Sequence, residues 1–202
     1  MLDRAIQSAI KPTLARAARV LVRAGVGADA LTIAGFVIGM GAAVAIAMEA
    51  YLPGLAMLLL SRALDGLDGA VARETTPTDR GGFLDITLDF LFYASIPLAF
   101  AVAHPGQNAL PAAVLLAAFI GTASSFLAFA VVAEKQRLTS LAFPDKSFYF
   151  LGGLTEATET LVALVAMCLW PSAFPHIAYG FAVLCAITIA MRIGWGWQKL
   201  GR

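Results

Sequence analysis

The sequence predicts an all-α integral membrane domain, with six transmembrane helices preceded by an N-terminal amphipathic interfacial helix. Three observations predict it. Of 202 residues, 60% are hydrophobic and only 13% are charged, against about 45–50% and about 25% in soluble domains. The apolar residues gather into six runs, over residues 30–48, 52–72, 82–103, 109–133, 148–170 and 177–195, each near the roughly 20 residues that span a bilayer. Basic residues fall in every second gap between these runs. No polar stretch is long enough to build a soluble module, so residues 1–202 read as one domain, with 1–24 as the interfacial helix and 30–195 as the core.

The first 24 residues carry Leu2, Ile6, Ile10, Leu14, Ala17 and Leu21 at helical spacing, with Arg4, Lys11, Arg16, Arg19 and Arg23 among them. That pattern predicts a helix lying on the cytoplasmic face of the membrane; a basic tail that only sets topology is the alternative. The short apolar core and small-residue cleavage site of a signal peptide are missing. Turn residues punctuate the later runs, at Tyr51-Leu52-Pro53-Gly54, at His104-Pro105-Gly106-Gln107-Asn108, and from Trp170-Pro171 to Pro175-His176.

Charge sets the direction. Arg73 and Arg80 lie between runs two and three, Lys135, Arg137 and Lys146 between four and five, and Arg192, Lys199 and Arg202 at the end. The opposite loops hold no Lys or Arg. By the positive-inside rule both termini are cytoplasmic, which predicts a protein of the inner (plasma) membrane with no nucleic-acid partner. Cys168 and Cys185 lie in apolar runs without metal-ligand spacing and read as buried thiols.

Against this apolar background stand four aspartates, in Asp65-x-x-Asp68-Gly69-x-x-Ala72-Arg73 and Gly81-x-x-x-Asp85-x-x-x-Asp89. A carboxylate in hydrocarbon costs at least a few kcal/mol, so such residues mark a site by default. Residues three or four apart share a helix face, so Asp65 points with Asp68 and Asp85 with Asp89. A short cytoplasmic loop makes the two helices antiparallel neighbours. Asp65 lies eight residues before Arg73, and Asp89 eight after Gly81; at about 1.5 Å per residue both sit roughly 12 Å from the loop. Four carboxylates at one level repel one another, and divalent cations relieve that repulsion. Mg²⁺ suits hard oxygen ligands, with substrate phosphate completing its shell. Gly66, Gly69, Gly81 and Gly82 permit close backbone approach, either to another helix or to a nucleotide. Structural ion pairs, Asp65 with Arg62, Asp68 with Arg73 and Asp85 with Arg80, are the competing explanation; four aspartates with interleaved glycines exceed what it needs.

The run Asp68-Gly69-Ala70-Val71-Ala72-Arg73, followed by Gly81, Asp85 and Asp89 and led by Asp65, resembles the signature of the CDP-alcohol phosphotransferase family. Leu31-Thr32-x-x-Gly35, the six-span layout and the amphipathic N-terminus extend the resemblance over most of the chain. Lys146-Ser147-Phe148-Tyr149 and Gly152-Gly153-Leu154-Thr155-Glu156 resemble a bacterial inner-membrane subgroup of that family.

The resemblance implies transfer of a substituted phosphate, phosphatidyl above all, from a CDP-linked lipid donor such as CDP-diacylglycerol to an alcohol, with release of CMP, in phospholipid biosynthesis. It implies Mg²⁺ (or Mn²⁺), two ions, held by Asp65, Asp68 and Asp85, with Asp89 a further ligand or the general base. It places Gly69, Ala72, Arg73, Gly81 and Thr32 around the nucleotide, and implies a homodimer. Asp89, the deepest carboxylate of its run, is placed to take the acceptor's proton.

The acceptor, a small or lipid alcohol, is less legible. Glu156 and Glu159 share a face inside the fifth run and either hold the acceptor or form a polar seam that pairs with Arg62 or a dimer partner. Lys135, Arg137 and Lys146 either bind a phosphorylated acceptor or only set topology and meet anionic headgroups. Two rivals remain open here: an intramembrane prenyltransferase binding Mg²⁺–diphosphate, disfavoured by the Gly-x-x-Ala-Arg element, and a divalent-cation transporter, disfavoured because transporter sites lie near the midplane.

Overall fold

The computed structural model describes residues 2–135 and 154–200. These form helices joined by short turns: α1 Leu2–Arg23, α2 Ala28–Ala47, α3 Tyr51–Glu74, α4 Asp79–Ala103, α5 Pro105–Lys135, α6 Ala157–Leu169 and α7 Phe174–Leu200. A 3₁₀ turn, Pro171–Ala173, leads into α7. Gly25 turns the chain after α1 with φ +78°, a conformation that glycine adopts without a Cβ clash. Thr78 caps α4 by accepting the Gly81 N–H at 3.1 Å, a cap that satisfies one of the first-turn donors.

Among the described residues, four helical stretches are long and apolar enough to cross a membrane: Ala28–Ala47, Asp79–Ala103, Pro105–Lys135 and Pro171–Gln198. The sequence expectation is six. The second expected span is helical throughout as α3, 24 residues long, but Arg62, Asp65, Asp68 and Arg73 dilute its apolar character. The fifth departs in geometry. A helix continuous from residue 148 to 170 is expected, yet residues 154–156 are not helical and α6 begins at Ala157. The reason lies in α7. The Leu154 and Thr155 N–H groups donate to Thr188 Oγ1 of α7, at 3.2 and 3.1 Å, and Glu156 takes an extended conformation as N-cap.

Helix α2 is the hub, packing against both α3 and α4, while α5 packs against α4 and α7. Small residues make the α2–α3 contact close. A Cβ on Gly35 would lie 3.3 Å from both Leu64 Cβ and the Ser61 carbonyl oxygen, and one on Gly39 would lie 2.9 Å from Ser61 Oγ and closer still to the Phe92 ring. Gly35 and Gly39 form the small-xxx-small pattern that brings membrane helices together. Below this seam the core fills with Ile46, Leu58, Phe92, Ile96, Phe100, Leu115, Leu164, Met167 and Phe174. Phe100 stacks on Phe174 with ring centroids 4.6 Å apart.

At the other end, α1 lies against α3. Ala18 is fully buried, and Leu14, Leu21 and Val22 pack with Leu31, Ala70 and Val71. Lys11, Arg16, Arg19 and Arg23 stay exposed on the far face, and Arg19 Nη1 meets Glu74 at 3.3 Å. The outward faces of the long helices carry exposed Val37, Val44, Leu98, Val102, Leu110, Ile120 and Val131, more apolar surface than a water-soluble monomer leaves contiguous.

Gly39→Val tests the seam. It is expected to cost about 1–3 kcal/mol through overpacking, read as a lower midpoint of thermal unfolding in detergent. Gly106→Ala, where an added Cβ meets nothing within 4 Å, is expected to leave the midpoint in place.

Candidate active site

Helix α3 carries Asp65 and Asp68 on one face, and α4 carries Asp85 and Asp89. One carboxylate oxygen each from Asp65, Asp68 and Asp85 lies within 4.8 Å of the other two. Asp68 is buried, and Asp65 and Asp85 are half-buried. The antiparallel arrangement expected from the short loop therefore brings these three together, from two helices, at one level.

Helix α2 supplies the orienting bonds. Thr32 Oγ1 donates to Asp68 Oδ2 at 2.6 Å and lies 3.1 Å from the Ala28 carbonyl oxygen. Thr32, expected beside the nucleotide, thus fixes a carboxylate of the cluster. Ser61 Oγ donates to the Gly35 carbonyl oxygen at 2.7 Å across the α2–α3 seam. That bond holds α3 at the depth where Thr32 reaches Asp68.

Asp89 is engaged differently. Its Oδ1 accepts from Arg62 Nη1 at 2.5 Å, and the same Nη1 lies 3.4 Å from Asp65 Oδ1. Arg62 Nη2 lies 3.2 Å from Ser61 Oγ, and the guanidinium carbon sits 3.8 Å from the centroid of the Phe92 ring. Of the three ion pairs that compete with a site, Asp65–Arg62 forms. Asp68 bonds Thr32 instead of Arg73, and Arg80 reaches back to Asp29, with Nη2 and Nε at 2.6 and 3.1 Å from Oδ2. The Asp29–Arg80 clasp ties the start of α2 to the first turn of α4. Its signal in sequence is slight, one acidic residue at a helix start.

Thr32, Gly35, Phe36, Arg62, Asp65, Asp85, Leu88 and Asp89 line a concavity of about 210 Å³, counted to its open mouth. A Cβ on Gly69 would meet only the Arg73 guanidinium, at 3.4 Å, and one on Gly82 would meet nothing within 4 Å. Neither glycine meets another helix among the described residues. Gly81 differs, because Asp29 Oδ1 and Thr78 Oγ1 would each lie 3.2 Å from an added Cβ. Ala72 is half-buried and Arg73 exposed beside them.

The donor set fits a divalent cation. It consists of hard carboxylate oxygens converging from three side chains, the chemistry that Mg²⁺ and Mn²⁺ select.

The glutamates stand at the start of α6. Glu156 is the N-cap of α6 and Glu159 its third residue, and the two close a capping box in which the Glu156 N–H donates to Glu159 Oε2 at 3.2 Å. They start a helix rather than lie within one, which corrects the expected polar seam inside a continuous span. Lys135 sits exposed in the last turn of α5. Arg137 and Lys146 lie outside the described residues. Arg192, read from the sequence only as a topological charge, is buried and donates Nη1 to the Thr122 carbonyl oxygen at 2.9 Å.

Residues 26–193 match the CDP-alcohol phosphatidyltransferase family. Inner membrane protein YnjF of Escherichia coli (strain K12) is 50% identical over 200 residues, which are 99% of this chain and 97% of YnjF. An archaetidylinositol phosphate synthase of Methanothermobacter thermautotrophicus is 44% identical over 70 residues, 34% of this chain and 36% of that protein. In fold the chain resembles the Mycobacterium tuberculosis phosphatidylinositol phosphate synthase PgsA1. The likeness to its complex with manganese and citrate has a TM-score of 0.71 at 22% identity, covering 91% of this chain and 88% of that one. With CDP-DAG bound the TM-score is 0.67, over 91% and 93% of the two chains.

Thr32→Val removes the hydroxyl and keeps the volume. It is expected to weaken Mn²⁺ binding by about tenfold, the worth of one charge-assisted hydrogen bond, and to lower the unfolding midpoint, because the buried Asp68 carboxylate loses a donor. Mn²⁺ titration followed by electron paramagnetic resonance reads the first quantity.

Proposed function

The chain belongs to the CDP-alcohol phosphatidyltransferase family, and on that premise we propose that it transfers a phosphatidyl group from CDP-diacylglycerol to the hydroxyl of an alcohol, releasing CMP. The observation that carries the reading is the convergence of Asp65, Asp68 and Asp85 within 4.8 Å, on the residues of the family motif. The match over residues 26–193 sets aside the prenyl-diphosphate and cation-transport readings.

Asp65, Asp68 and Asp85 would hold the divalent ions, Mg²⁺ or Mn²⁺ and two in the proposed count, which when bound neutralise charge developing on the phosphoryl oxygens and the leaving group. The remaining chemistry belongs to the chain. Thr32 holds Asp68 in one orientation. Gly69 and Gly82 leave room for the nucleotide against the backbone, with Ala72 and Gly81 beside them, and Arg73 brings positive charge to its phosphates. Asp89 accepts the acceptor's hydroxyl proton. The acceptor oxygen bonds to the phosphorus distal to cytidine, the bond from that phosphorus to the CMP oxygen breaks, and CMP departs with the electron pair.

The proposed setting is the inner membrane, the location given in the name of YnjF. Six spans, with α3 and α6 completing the four long apolar helices, put both termini and the site on the cytoplasmic side, with α1 lying at the interface. The proposed assembly is a homodimer. Lys135, Arg137 and Lys146 remain proposed contacts for a phosphorylated acceptor. For Glu156 and Glu159 the capping box supports a structural role over acceptor binding.

The purified protein, given CDP-diacylglycerol, Mg²⁺ and a panel of inositol phosphate, glycerol phosphate, serine and inositol, is expected to release CMP with one of them. Asp68→Asn is expected to reduce release at least about 100-fold and Asp89→Asn by about 10²–10⁴-fold. Near-normal turnover of folded Asp89→Asn would remove Asp89 from the base role.

A further inference from the structure

Arg62 is a charged side chain within an apolar helix, with only 10% of its side chain exposed. Its surroundings are unusual for a simple fold-stabilising ion pair. One nitrogen, Nη1, serves both Asp89 on α4 and Asp65 on α3. Its guanidinium carbon lies 3.8 Å from the ring centroid of Phe92 and 5.3 Å from that of Tyr93. These residues stand three and four positions after Asp89, so the same face of α4 presents the carboxylate and both rings. Nη2 reaches Ser61 Oγ, while Nε is buried without a hydrogen-bond partner among the described residues. An unmade buried bond is costly. The guanidinium is therefore located by the carboxylates and the aromatic faces rather than by full use of its donors. It also lines the concavity together with Asp65, Asp85 and Asp89.

We propose that Arg62 is a positioning residue acting as the internal counter-cation of the acidic site: it competes with the divalent ion for Asp65 and fixes the orientation of Asp89 beside it. The inference rests on the reading of Asp65, Asp68 and Asp85 as the metal set. The asymmetry of its contacts gives the division of labour. The short contact keeps Asp89 with Arg62, and the longer one, 3.4 Å, leaves Asp65 shared between the guanidinium and the Asp68 and Asp85 side. The arrangement keeps the cluster assembled before metal arrives, because repulsion between α3 and α4 is already partly neutralised. It also sets a threshold, because a resident positive charge opposes a second one nearby.

The sign of one measurement separates this role from a merely structural one. Mn²⁺ affinity is measured without substrate, by electron paramagnetic resonance, on wild type, Arg62→Met, Arg62→Gln and Arg62→Lys, with unfolding midpoints recorded alongside. Removing the charge in Arg62→Met and Arg62→Gln is expected to tighten Mn²⁺ binding about tenfold, and Arg62→Lys to stay near wild type. CMP release is expected to fall in the two neutral variants with KM for CDP-diacylglycerol unchanged, since Asp89 loses its orientation, and to recover partly in Arg62→Lys. Unchanged or weaker Mn²⁺ binding in the neutral variants overturns the proposal, as does failure of both to fold. If wild type itself binds no Mn²⁺, the metal reading falls and this inference falls with it; wild-type binding that weakens in the variants overturns the inference alone.

Discussion

The structure turns on gathering four carboxylates inside an apolar helix bundle and neutralising them there. In a low-dielectric setting the repulsion among Asp65, Asp68, Asp85 and Asp89 would drive α3 and α4 apart. Three kinds of neighbour hold them together. Arg62 supplies a charge between the helices, Thr32 a short hydrogen bond from a third helix, and the donor set accommodates a divalent ion. The cost of the carboxylates is thus tied to their use, because a bundle able to tolerate them has already built most of a phosphoryl-transfer site.

The rest of the bundle serves that gathering. Gly35 and Gly39 let α2 lie close on α3, which puts Thr32 within reach of Asp68 and Ser61 within reach of the Gly35 carbonyl. Phe92 packs into the same seam and offers its ring to Arg62, so one side chain joins the apolar core to the polar site. Around the mouth, Asp29 and Arg80 fasten α2 to α4, and α1 presses Leu14 and Ala18 onto α3. Each contact restrains a helix that carries an aspartate. Loss of packing at the seam and loss of orientation at the carboxylates are therefore coupled, although their residues sit on different helices.

Helix α6 shows how polar residues in an apolar region serve the backbone. Thr188 collects the N–H groups of Leu154 and Thr155, and Glu156 and Glu159 cap the helix that follows. These groups would be orphaned at a helix start within an apolar bundle. Their satisfaction explains two glutamates that, seen in sequence alone, compete as acceptor ligands.

The sequence alone determined what periodicity and hydropathy control. It set the helices, the pairing of aspartates on each face, their common depth and the family motif, because i, i+3 and i, i+4 spacing and a short connecting loop depend on local geometry. It also offered Arg62 as a partner for Asp65. Tertiary structure decided which partners those groups take. Arg62 goes to Asp89 as well as Asp65, Thr32 to Asp68, Arg80 to Asp29, and the fifth apolar run breaks before Ala157. The physical reason is that each of these bonds joins residues far apart in the chain or depends on a neighbouring helix. The closeness of approach is set by glycines and aromatic rings at the helix crossings, which no single helix's pattern contains.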